Sequence, residues 1–256
     1  MSEALHAVAT ALVQAHRSGE AADAAPLEGR LSSPDEAYAA QDQVARELGW
    51  FGANVPRHWK SGGPSRDGAL THAGLPPANV RPSPADLRNV PFHLRLIEAE
   101  VALRLAREVS PQEAAQLTHE EDAAALVDGM AVSIEIVDSR WRQAREAGAL
   151  LKLADLQSHG ALALGDWQPF VARDWAQQTC VVRIGEAPPQ SFRGTHSLGD
   201  PAWLLPIWLR HATRGGRAVP RGTVVTTGTW CGLLEARRGD RVRAVFEGIG
   251  EAEVQL

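Results

Sequence analysis

Ile97, Glu98, Ala99, Glu100 and Val101 alternate apolar and acidic side chains. That is the period of a β-strand, so Glu98 and Glu100 project from one face about 7 Å apart. Like charges at that spacing repel, and the face carrying them is either solvated or lines a cavity. A second run, Ser133-Ile134-Glu135-Ile136-Val137-Asp138, sets another acid among β-branched residues, where burial is expected and an unpaired carboxylate is costly. Three carboxylates gathered from neighbouring strands are stabilised together by a divalent cation, and all-oxygen ligation favours Mg²⁺ or Mn²⁺ over zinc. Glu135 and Asp138 point to opposite faces of their strand, so the spacing admits either as third ligand but not readily both.

The basic residues carry a second signal. Of 26 basic side chains, all are arginine except Lys60 and Lys152. An ammonium can release its proton at an accessible pKa and a guanidinium cannot, so a lysine retained against this bias is a candidate for acid–base work. His58 and His159 are read as packing or surface histidines. Asp155, Ser158 and His159 lie too close along the chain for triad geometry, and no Gly-x-Ser-x-Gly elbow is present.

The elements that must position these groups follow from pattern. Leu5, Val8, Leu12 and Val13 form one helical stripe, and Ser33-Pro34-Asp35-Glu36 reads as a capping box opening a helix that buries Ala37, Ala40, Val44 and Leu48 and stops near Gly52. Residues 1–60 are therefore expected as a small helical N-terminal region. Residues 61–92 open with Ser61-Gly62-Gly63-Pro64 and add Pro76, Pro77, Pro82, Pro84 and Pro91, a density that suppresses regular structure and predicts a lid-like loop. Residues 93–256 read as a β-rich catalytic domain. Its strands are expected at Ile97–Leu103, Ala131–Val137, Ala161–Leu164, Cys180–Ile184, Thr223–Thr227, Arg241–Phe246 and Glu251–Leu256. Helices are expected after Ser110 and Thr118, and again from Asp200-Pro201 to Gly215-Gly216. The tryptophans, among them Trp59, Trp141 and Trp230, are expected in the core or a pocket wall.

Composition sets the limits. A chain of 256 residues, 44% hydrophobic and 22% charged, can bury a sizeable core without metal or disulfide staples. Its net charge of −5 provides no cationic field for a polyanion, so nucleic acid is not expected as a partner. Cys180 and Cys231 cannot build a disulfide framework or a thiolate metal site, and no signal segment or membrane span is legible. A cytoplasmic location is the expectation.

Taken together, Ile97-Glu98-Ala99-Glu100-Val101-Ala102 and Ile134-Glu135-Ile136-Val137-Asp138-Ser139-Arg140 resemble the fumarylacetoacetate hydrolase superfamily, in particular its 2-keto-4-pentenoate hydratase and 4-oxalocrotonate decarboxylase branch. Asp35 to Gln41, Lys60 before a glycine pair, Asp155 to Gly165, and Gly228-Thr229 extend the likeness. The resemblance implies an α+β fold: a mixed β roll or barrel behind a small helical layer, commonly a homo-oligomer. It implies Glu98, Glu100 and Glu135 as ligands of Mg²⁺ or Mn²⁺, with Asp138 left in a structural role. Lys60 is implied as the catalytic residue, and Asp155, Gln157, Ser158 and Thr229 as substrate contacts.

The chain departs from the branch in reading Lys60-Ser61-Gly62-Gly63-Pro64-Ser65 in place of Lys-x-Gly-Leu-Thr-Ser, and Asp155-Leu156-Gln157-Ser158 in place of Asp-Asn-Ala-Ser. Three carboxylates and one divalent ion leave open positions for a small 2-oxoacid, whose polarised 2-oxo group stabilises an enolate. The expected reaction is hydration of a 2-hydroxy-2,4-dienoate in aromatic-compound catabolism. Decarboxylation of a 4-oxalocrotonate-type substrate on the same scaffold is the alternative, for which Arg57, Arg66 or Arg140 could receive a second acidic group. A non-catalytic partner subunit is a third reading. Lys60, close to the cation and desolvated, is expected to have a depressed pKa.

Overall fold

Two capped helices start the chain in the computed structural model, which describes residues 2–118 and 120–256. Ser2 Oγ accepts from Leu5 N at 3.2 Å at the head of Glu3–Ser18, and Ser33 Oγ accepts from Glu36 N at 3.3 Å at the head of Pro34–Glu47. Glu36 does not close the reciprocal half of a capping box on Ser33. Its carboxylate accepts from Ser32 N at 2.7 Å and from Ser2 Oγ at 3.1 Å, tying one helix cap to the other. The helices bury Leu5, Val8, Leu12, Ala37, Ala40 and Val44 against Leu151 and Leu153 of a short helix, Ala149–Ala154, forming a small core of their own.

The rest is α+β, built on two sheets around one larger core. The main mixed sheet runs Thr71–Gly74, His58–Gly62, Val224–Thr229, Leu96–Leu105, Val127–Val137, His159–Leu164 and Val80–Pro82 in spatial order. A second sheet of Gln190–Arg193, Thr179–Ile184, Arg241–Phe246, Gly250–Gln255 and Ala85–Asp86 packs across it. Ile97, Ala99, Val101 and Leu103 face that shared core with Val182, Ala244, Phe246 and Val254. Trp59, Trp141 and Trp230 are all buried.

Two expectations change, and one open alternative is decided. The Pro/Gly-rich segment 61–92 is not one irregular lid. Thr71–Gly74 and Val80–Pro82 are edge strands of the main sheet and Ala85–Asp86 of the second, while Ala73 and Leu75 are fully buried. Proline tolerates such positions because an edge strand leaves one row of N–H groups unpaired. The N-terminal region is not helical to residue 60, since His58–Gly62 is a strand inside the main sheet. The acidic side of Leu96–Leu105 is sheltered as well: Glu100 is buried and Ala102 completely so.

Candidate metal centre

Register brings the acids together. Leu96–Leu105 and Val127–Val137 pair antiparallel with Glu98 directly opposite Glu135, and Glu100 lies two residues along on the same face, opposite Ser133. One carboxylate oxygen from each of Glu98, Glu100 and Glu135 falls within 4.8 Å of the others. Asp138 is not in this group. It accepts from Leu94 N at 2.6 Å and so fixes the approach to the first strand, which answers the choice that spacing had left open.

Each acid is held differently. Glu100 Oε2 accepts from Gly228 N at 2.9 Å and from Thr226 Oγ1, whose oxygen lies 2.8 Å from Ser133 Oγ. The pairing of Val224–Thr229 with Leu96–Leu105 slips between Thr226 and Thr229. Gly228 sits there at φ +105°, a conformation hostile to a Cβ, and turns its N–H onto the carboxylate. Glu135 is fully buried, and its Oε1 accepts from Lys60 Nζ at 2.6 Å and lies 3.0 Å from His159 Nδ1. Among the described residues, Glu135 Oε2 is buried with no hydrogen-bond partner.

An orphaned anionic oxygen inside a cluster of three acids is a position that a cation satisfies. The donor set is oxygen only, which suits a hard divalent ion. Glu98, Glu100 and Glu135 therefore fit a magnesium-like cation. The electrostatics agree. Desolvation, with Glu100 and Glu135 adding to it against Lys60, pushes Glu98 up to about 8. Desolvation and Glu135 push Glu100 up to about 7, against Lys60, Thr226 and the Gly228 N–H. For Glu135 desolvation is again the largest influence, but Lys60 and His159 outweigh it and hold the carboxyl below its usual range.

Lys60 corrects the expectation of a depressed pKa. Desolvation does pull it down, yet Glu135, Glu98 and Glu100 together outweigh that and raise it, so the side chain stands as an ammonium. Its second contact is Gln157 O at 3.3 Å. That carbonyl belongs to a turn in which Leu156, Gln157 and Ser158 are all left-handed, at φ +51°, +54° and +58°, each unfavourable for a residue with a Cβ. Arg140 braces the turn: Nε donates to Asp155 Oδ1 at 2.5 Å, its backbone N to Asp155 Oδ2 at 2.9 Å, and Nη2 to Asp155 O at 3.0 Å.

Lys60, Glu98, Glu100, Gln157, Ser158 and Thr229 line one cavity of about 710 Å³. Thr229 spends its hydroxyl on Gly232 O at 2.9 Å, and Gln157 Nε2 donates to Thr71 Oγ1. Asp155 lies off the cavity. It is buried and taken up by Arg140, so its place is behind the turn instead of against a substrate. Neither Arg57, Arg66 nor Arg140 lines the cavity, whereas Arg145 and Lys152 do. Two groups escaped the sequence reading. His159 is buried but meets Glu135, and desolvation keeps its pKa low enough for a neutral ring whose Nδ1–H can donate. Gly228 enters the sequence pattern only through the Gly228-Thr229 likeness, which assigns no role to its N–H.

Residues 82–256 match the family model of the fumarylacetoacetate (FAA) hydrolase C-terminal domain. The chain belongs to the fumarylacetoacetate hydrolase family. No curated protein matches it. Among solved structures, it is similar to 4-oxalocrotonate decarboxylase from Pseudomonas putida G7 complexed with magnesium and adipate, at 18% identity and TM-score 0.83, covering 98% of this chain and 96% of that one. It is also similar to 2-hydroxyhepta-2,4-diene-1,7-dioate isomerase from Mycobacterium marinum, at 17% identity and TM-score 0.58, covering 78% and 74%. Fumarylacetoacetate hydrolase from Exiguobacterium antarcticum gives 18% and 0.58, covering 79% and 76%. At these identities the likeness is one of fold, and the mixed sheet with its helical layer is the fold of this family. No helix among the described residues is long and apolar enough to cross a membrane.

Proposed function

We propose that the chain is a divalent-metal-dependent lyase acting on a small unsaturated 2-oxoacid. The observation that carries this reading is the convergence of Glu98, Glu100 and Glu135, with Glu135 Oε2 unpartnered among the described residues, where Glu98, Glu100 and Lys60 line a cavity. A divalent cation held by the three glutamates supplies Lewis acidity for a 2-oxo group. The chain's own groups do the rest. Lys60, an ammonium with one donor left after Glu135 and Gln157 O, binds a substrate oxygen and can deliver a proton. Ser158, presented by the braced left-handed turn, orients the substrate carboxylate together with the remaining amide N–H of Gln157. His159 and Lys60 fix the orientation of Glu135.

Two reactions share an enolate of the substrate. Hydration of a 2-hydroxy-2,4-dienoate adds one water across the diene and gives a 4-hydroxy-2-oxoacid, as the sequence motifs suggest. Decarboxylation of a 2-oxo-3-enedioate moves the C5–C6 electron pair toward the 2-oxo oxygen, releases CO₂ and takes up one proton. The second reading is supported by likeness over almost the whole chain to a 4-oxalocrotonate decarboxylase. A homo-oligomer, testable by light scattering, is part of the same reading.

The test combines metal analysis with turnover. Wild type loaded with Mg²⁺ or Mn²⁺ is expected to retain the ion and to consume 2-hydroxypenta-2,4-dienoate or release CO₂ from 4-oxalocrotonate. Glu98→Ala and Glu135→Ala are expected to lose ion and turnover together. Wild type that stays metal-free in excess Mg²⁺ refutes the reading, and one that binds metal but turns over nothing supports a partner-subunit role instead.

A further inference from the structure

Both lysines of this arginine-rich chain, Lys60 and Lys152, line the same cavity. Arg145 stands beside Lys152 on that wall. The first lysine is committed to Glu135. Among the described residues, no ion pair engages either Lys152 or Arg145, and Lys152 Nζ makes one hydrogen bond, to Arg145 O at 3.0 Å. An ammonium has three donors, so two remain. The segment that carries Arg145 is held under strain: Ala144, also in the wall, is left-handed at φ +52°, a costly conformation for a residue with a Cβ.

The cavity lining therefore carries two charged groups. One is Glu98, Glu100 and Lys60, where the proposed cation, held together with Glu135, and a 2-oxocarboxylate belong. The other is Lys152 and Arg145, two cations that no anion among the described residues pairs with. Lys152 is half-buried and Arg145 exposed, so the lysine can make the better desolvated contact and the arginine adds attraction at the rim. We infer that Lys152, with Arg145 beside it, binds a second carboxylate at the far end of the substrate and makes the cavity selective for 2-oxodicarboxylates over 2-oxomonocarboxylates. This specificity rests on the 2-oxoacid reading and assigns Lys152 a role that it leaves open.

A purely structural role for Lys152 makes a different prediction. Lys152 lies in the last turn of Ala149–Ala154 and fastens the Ala144–Glu146 turn through Arg145 O; loss of that tie would lower stability and weaken every ligand alike.

Calorimetric titration of the Mg²⁺-loaded protein with the saturated, unreactive pair 2-oxohexanedioate and 2-oxohexanoate separates the two. Wild type is expected to bind the diacid more tightly by about tenfold to hundredfold, the range of a charge-assisted hydrogen bond. Lys152→Met is expected to abolish that ratio while leaving monoacid affinity within about twofold, and Lys152→Arg to restore part of it. Equal affinities in wild type, or a ratio that survives in Lys152→Met, overturns the inference. So does a lowered melting temperature in Lys152→Met with both acids weakened equally. If loaded wild type binds neither acid, the 2-oxoacid reading itself fails and takes this one with it.

Discussion

Metal binding at the three glutamates should expel protons, and the structure sets how many. Burial and mutual repulsion hold Glu98 at about 8 and Glu100 at about 7, so at pH 7 the first is about nine-tenths protonated and the second about half. A cation that needs both as carboxylates displaces about 1.4 protons at that pH. Integrated from pH 6 to pH 8, the same two groups raise the apparent affinity by between two and three orders of magnitude. Above pH 9 the slope should vanish. Exposed glutamates, ionised throughout this range, would give a flat profile. Titration of Mg²⁺ or Mn²⁺ into the protein in buffers of different ionisation enthalpy counts the protons directly, and the pH series gives the slope. An affinity that changes less than about twofold between pH 6 and pH 8 would mean that the acids are solvated and separate, and the electrostatic picture of the centre would be wrong.

Further outcomes follow from the same geometry. Asp155→Asn leaves the Arg140 guanidinium buried without its counter-charge, and should cost about 3–5 kcal/mol in urea unfolding while also loosening the turn that carries Gln157 and Ser158. Gly228→Ala forces a Cβ onto a backbone at φ +105°; about 1–3 kcal/mol of strain is expected, with metal affinity falling because the N–H to Glu100 is displaced. Burial holds the His72 imidazole down at about 3, from 6.5, so the folded protein resists a proton that the unfolded chain accepts. Its contribution is complete above pH 6.5 and declines as pH falls toward 3, by about 2 kcal/mol between pH 7 and pH 5; His72→Gln should flatten that part of the stability profile.

The legible part of this molecule is what period and chemistry alone determine. Alternation at Ile97–Val101 placed Glu98 and Glu100 on one face, and the caps at Ser33 and Ser110 gave the starts of their helices. What the pattern could not convey was pairing. The opposition of Glu98 and Glu135 is a fact of register between residues more than thirty positions apart in the chain, and only the family likeness points to Glu135 over Asp138. Proline and glycine at 61–92 suggest an absence of structure because local propensity does not register edge strands stabilised by a sheet assembled elsewhere in the chain. The family likeness implies Asp155 as a substrate contact with Gln157 and Ser158, yet successive left-handed residues swing those two toward the cavity while its carboxylate turns back to Arg140. Lys152 and Arg145 sit in segments with no distinguishing pattern, and only the scarcity of lysine marked one of them.

The face-to-face placement of Glu98 and Glu135 has a consequence for how the chain assembles. Slipping either strand by a single residue would turn its acid out of the cluster and bring Ile97, Ala99, Ile134 or Ile136 to the place of a ligand. A cation present while the sheet forms would then favour only the correctly aligned pair, so refolding in magnesium should leave fewer misaligned molecules than refolding in chelator. The ion would serve as a proofreader of strand alignment before it serves any substrate.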